Sequence, residues 1–150
     1  MHYEKLLKEI ERHKIETYEK PMPQKLKGLY YDNVVLINQN IASTEKTCIL
    51  AEELGHYHTT TGDILNQNRL SNRKQEKLAR TWAYKKLIPL SKIVQVHENN
   101  IDNQHEMAEF LGVTEDFLQS ALQRYKEIYG LKCDYKDYTI YFEPLFIKKG

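Results

Sequence analysis

Glu52 and His56 stand four residues apart in a stretch that reads as helix, from about Thr44 to His58, and this spacing constrains the chain more than any other feature. Residues at i and i+4 share one helix face, a turn apart. Ser43 or Thr44 can cap the helix, and Glu45 puts an acid in its first turn, where the helix dipole favours one. Thr59-Thr60-Thr61-Gly62-Asp63 then stops it. A carboxylate and an imidazole so placed can give two ligands to one metal ion. They can equally form a solvated pair, and the two residues alone leave both readings open. Glu53 flanks the same point, and a free carboxylate beside such an ion can take a proton from water.

The familiar zinc-peptidase form of this arrangement is H-E-x-x-H, with two histidine ligands and a glutamate base. Here Glu52 stands where that form has its first histidine. Carboxylate oxygen is an accepted Zn²⁺ ligand. Two carboxylate ligands leave the ion less positive, and its water less acidic, than two neutral imidazoles would.

Composition excludes several other classes. The 150 residues suit one domain or two compact lobes. Lys and Arg number 22 against 21 Asp and Glu, so a polyanion-coating protein is disfavoured. No apolar run reaches the roughly 18–20 residues that span a bilayer. The segment Met1 to Glu11 has no signal-peptide core, and two cysteines, Cys48 and Cys133, fit free thiols in a reducing compartment. The expectation is a cytoplasmic protein with no membrane partner, and neither a disulfide scaffold nor a four-cysteine zinc module.

Around the central helix the pattern predicts an α+β chain, mainly helical. Tyr3, Leu6, Leu7, Ile10 and Tyr18 suit a first helix ending before Pro21. Gly28 to Ile41 reads as strand-turn-strand about Asp32-Asn33. After a polar loop, Asn66 to Asn72, a helix is expected over Arg73 to Ile88, stopped by Pro89, with Trp82 and Ala83 in the core. Further helices are expected over Ser91–Glu98, Asp102–Leu111 and Glu115–Tyr129, with Gly130 as a stop. Tyr138 to Ile147 reads as a terminal strand or extended tail. The best internal seam is Pro89 to Asn103, giving lobes of residues 1–90 and 91–150.

Two segments resemble one family. Ile49-Leu50-Ala51-Glu52-Glu53-Leu54-Gly55-His56-Tyr57 is similar to the A-H-E-L-G-H-Y signature of the ImmA/IrrE metallopeptidases. Glu76-Lys77-Leu78-Ala79-Arg80-Thr81-Trp82-Ala83, followed by Leu87-Ile88-Pro89, resembles its second signature, E-x-x-A-x-x-F-A then L-L-x-P. The resemblance covers about residues 25 to 90. It implies a zincin-like lobe with a small sheet, Glu53 as general base, and His56 and Glu76 as metal ligands. Glu52 takes the place of the family's first histidine ligand. Either Glu52, His56 and Glu76 hold the ion, or the site has decayed and the domain only binds. Zinc is the expected ion, with manganese or iron also suited to the donors. The implied substrate is a transcriptional repressor of a phage or mobile element, cut by an endopeptidase.

The remaining candidates have plainer readings. His58 points about 200° from His56 on an ideal helix, so it reaches the ion only if the helix ends near Tyr57. His2, His13, His97 and His105 read as surface residues, Asp63 as a cap and Cys48 as buried core. Residues 103–122 resemble a helix-turn-helix. Residues 101–129, however, hold six acids against Arg124 and Lys126, a net of −4, where a phosphate-facing module wants a basic stripe. Direct DNA binding is therefore disfavoured against a lobe that packs or docks a protein.

Overall fold

A computed structural model describes residues 2–59 and 69–150. Among them are six helices and two three-stranded sheets, a mixed α/β arrangement that is mainly helical. The chain divides into two compact units, Met1–Ala83 and Tyr84–Gly150, whereas the sequence seam lies further on, at 89–103.

In the first unit, helix α1 (His2–Arg12) buries Leu6 and Ile10, one turn apart. It stops earlier than its apolar pattern suggests. Lys14 adopts a φ of 60°, and the Ile15 amide donates back to the Ile10 carbonyl at 3.2 Å, so Tyr18 belongs to a strand. That strand, β1 (Glu16–Lys20), runs parallel to β3 (Val34–Asn38). Strand β2 (Gly28–Tyr31) pairs antiparallel with β3 on its other side, giving the order β1-β3-β2. Asp32 and Asn33 both have positive φ, as a two-residue hairpin turn of this hand requires. In the central strand, Val35 and Ile37 alternate into the core and are fully buried.

Helix α2 (Ser43–Thr59) packs on α1, β2 and β3, burying Cys48, Leu50, Ala51 and Leu54. Truncating Leu54 to Ala would cost about 2–5 kcal/mol by the usual cavity reckoning. Helix α3 (Arg69–Leu87) starts before the sequence places it, taking in residues 69–72 that read as loop. The loop reading of residues 66–68 and the cap reading of Asp63 lie outside the described residues.

The second unit holds the end of α3, then α4 (Leu90–Glu98), α5 (Gln104–Leu111) and α6 (Glu115–Tyr129). Side chains cap two of its helices, and α5 starts at Gln104 where the sequence places its start at Asp102. The Asn103 side chain accepts from the Glu106 amide at 2.8 Å, and Thr114 accepts from Phe117 at 3.1 Å. Gly112 ends α5 in the left-handed region. Inside, the Tyr125 hydroxyl donates to the Ile88 carbonyl at 2.8 Å. The tail is neither a single strand nor extended. It is a meander of β4 (Lys132–Tyr135), β5 (Tyr138–Phe142) and β6 (Leu145–Lys149). The first turn uses Lys136 at positive φ, where no glycine or asparagine announces it. No helix among the described residues is long and apolar enough to cross a membrane.

Candidate metal centre

Gly55 determines how closely α2 meets α3. A Cβ at this position would lie 2.3 Å from the Ala79 carbonyl oxygen, so any side chain would force the backbones apart. Ala79 is one turn beyond Glu76, and this close approach brings Glu76 opposite His56. The His56 Nε2 lies 3.1 Å from Glu76 Oε2. The other Glu76 oxygen faces Arg80 Nε at 3.4 Å, one turn along α3. Arg80 is a supporting residue that the motif reading passed over, although its i+4 spacing from Glu76 could have flagged it.

The charges here are crowded. Burial is the largest influence on Glu53 and raises its carboxyl to about 7; His56 opposes the rise, while Glu52 and Glu76 add to it. Glu52 is also raised, first by burial and then by Glu76, against the pull of Arg80, His56 and Lys27. For His56 burial favours the neutral ring, yet the hydrogen bond to Glu76 and the charges of Glu53, Glu76 and Glu52 outweigh it and lift its pKa. Glu76 is lowered, chiefly by its bond to His56. Three acids thus converge on one imidazole in a partly desolvated place, a concentration of negative charge that a cation would relieve.

Carboxylate and imidazole are donor types that a divalent ion accepts. Ligand atoms at about 2.1 Å from a tetrahedral centre lie about 3.4 Å apart, close to the observed His56–Glu76 separation. The His56 Nδ1 is buried and has no hydrogen-bond partner, so the outer nitrogen lacks the anchoring acceptor that ligating histidines usually have. Glu52 is near enough for its charge to act on both partners. The structure thus pairs His56 with Glu76 and sets Glu52 and Glu53 around them without gathering every ligand atom into one tight set.

Strand β2 passes close to the same place. A Cβ on Gly28 would meet the Ile49 side chain at 2.4 Å and would stand 3.6 Å from Glu53 Oε1. Glycine here lets the edge strand lie against α2 beside the carboxylate. Cys48 is buried, in keeping with its reading as core. Trp82 is only half-buried, and its ring stacks on His58 at 4.7 Å and 20°.

Among the described residues, the group of ligand atoms all within 4.8 Å of one another lies elsewhere: Glu9, His13 and His58. The surface reading of His13 is therefore incomplete. It is half-buried, and its ring meets both Tyr57 and His58 at 5.0 Å. Sequence reasoning missed this group because its members come together only when α1 packs on α2.

Residues 10–123 match the family model of a peptidase domain described as the IrrE N-terminal-like domain. The chain belongs to this family. As an IrrE N-terminal-like domain it has a metallopeptidase-type function, which implies a bound metal. The match takes in α2 and α3 and continues into α6. No curated protein matches the chain.

Proposed function

We propose that the chain is a metal-dependent endopeptidase that cleaves a transcriptional repressor of a phage or mobile element in the cytoplasm. The observation that carries this reading is the 3.1 Å approach of His56 Nε2 to Glu76 Oε2, with half-buried Glu53 three residues before His56 on α2. Glu52, His56 and Glu76 would hold the ion, zinc by preference, with manganese or iron as alternatives. When bound, the ion supplies a Lewis acid for the peptide carbonyl and lowers the pKa of a water molecule. Glu53 takes a proton from the attacking water and returns it to the departing amide nitrogen. Strand β2 lies at the sheet edge, so an extended substrate segment could add alongside it near Glu53.

A second reading draws support from the same contact. His56 and Glu76 already pair directly, and Glu52 replaces a histidine, so the domain could regulate a repressor by docking alone. One experiment separates the two. Purified chain is reloaded with Zn²⁺, its metal content measured, and a co-expressed repressor of the same element followed by intact mass. Cleavage that disappears in Glu53→Gln, with fold and metal retained, supports the peptidase. A repressor that the reloaded chain binds but leaves intact supports docking.

A further inference from the structure

We infer a second transition-metal site, formed by Glu9, His13 and His58, in which an ion ties α1 to the last turn of α2. The three ligand atoms already lie within 4.8 Å of one another. Glu9 and His13 are at i and i+4 on and just beyond α1, so they reach toward one point. His58 comes from α2, and its ring sits among three others. It stacks on Trp82 at 4.7 Å, and meets His13 edge-on at 5.0 Å and Tyr57 edge-on at 5.1 Å. A tetrahedral set has ligand atoms about 3.4 Å apart, so adjustments of about an ångström in these side chains close it.

The donors identify the class of ion. Two imidazoles and one carboxylate suit Zn²⁺, Ni²⁺ or Cu²⁺, whereas Mg²⁺ and Ca²⁺ want oxygen. A fourth position would be left to water, since His58 is exposed. This set contains more nitrogen than Glu52, His56 and Glu76, and shares no residue with them. His58 follows His56 by two residues, so an ion here would brace the end of the helix that carries the proposed peptidase ligands. The site stands independently of the peptidase reading.

The test uses tag-free full-length chain and Zn²⁺ alone, titrated calorimetrically into wild type, His56→Ala, His13→Gln and the double variant. Circular dichroism checks that each is folded, and Glu9→Gln serves as a second variant at the new site. The His56→Ala chain is expected to bind one equivalent of Zn²⁺, with the His13 and His58 side-chain resonances shifting together and the Tm rising. Adding His13→Gln or Glu9→Gln should remove the binding, the shifts and the rise, and Mg²⁺ should produce none of them. The inference is overturned if His56→Ala binds no Zn²⁺, or if His13→Gln and Glu9→Gln leave its binding unchanged. One equivalent in wild type that is kept in His56→Ala and lost in His13→Gln upholds this site and removes the peptidase centre. The opposite pattern removes this site and keeps that centre.

Discussion

Gly55 and Ala79 meet backbone to backbone, with room for hydrogen but not for a methyl group between α2 and α3. The contact lies next to His56 and one turn from Glu76, so the helix separation sets the separation of those two side chains. Gly55→Ala should destabilise the chain by about 1–3 kcal/mol through overpacking, even though alanine favours helix more than glycine does. Chemical denaturation checks the first effect. A larger His56–Glu76 separation in a structure of the variant, with weaker Zn²⁺ binding, checks the second. A variant as stable as wild type would show that the helices part without cost.

Asn38 is almost wholly buried and organises the loop between β1 and β2. Its amide nitrogen donates to the carbonyls of Leu26, Met22 and Pro23 at 2.9, 3.3 and 3.4 Å, while its oxygen accepts from the Asn40 amide at 3.0 Å. Asn38→Leu would keep the bulk and leave those carbonyls and that amide without this partner. The expected loss is about 1–3 kcal/mol by denaturant melts. Faster hydrogen exchange around Asn40 would localise the damage.

These two positions also mark how far the sequence alone could lead. Elements with a local signal were legible: the Asp32-Asn33 turn, the Gly130 stop of α6, and Glu52 with His56 on one helix face. The juxtaposition of His56 and Glu76 followed from a two-part motif. What required tertiary contact was not legible. Asn38 satisfies carbonyls 12 to 16 residues away, with no periodicity to announce it. The end of α1 at Lys14 and the β4–β5 turn at Lys136 use lysines at positive φ, which sequence rules reserve for glycine and asparagine. Glu9, His13 and His58 come from α1, the turn after it and α2; the sequence reads His13 as surface and His58 as pointing away from His56, and nothing in it singles out Glu9.

Glu19 joins three elements of the first unit. Its carboxylate accepts from Tyr3 on α1 at 2.9 Å and from Lys46 on α2 at 2.6 Å. The bond from Lys46 is the main reason its pKa falls below the ordinary carboxylate value, although burial works against it. A carboxyl with a lower pKa folded than unfolded stabilises the protein above the unfolded value, and loses that contribution as pH falls through the folded one. The pair is partly exposed, so solvent screening holds the effect to about 0.5–1 kcal/mol. Glu19→Gln should therefore be less stable than wild type at pH 7, with the gap closing as pH falls below the ordinary carboxylate range. Urea melts of both proteins across that range would show it. A gap that widens in acid would contradict the sign.

Glu52→His restores the imidazole found in the usual form of the motif and removes one of the acids crowded about His56. A neutral ligand leaves more of the ion's charge available, so Zn²⁺-loaded Glu52→His should generate its nucleophile at lower pH. The acid limb of its pH–rate profile for repressor cleavage is expected to move down, by about one pH unit, relative to Zn²⁺-loaded wild type. Glu52→Gln provides the control, because it removes the charge without supplying a strong ligand. It should bind Zn²⁺ less well than either, with its fold unchanged by circular dichroism. If Glu52→Gln holds Zn²⁺ as tightly as wild type, Glu52 is not a ligand, and the histidine variant should then leave the acid limb where it was.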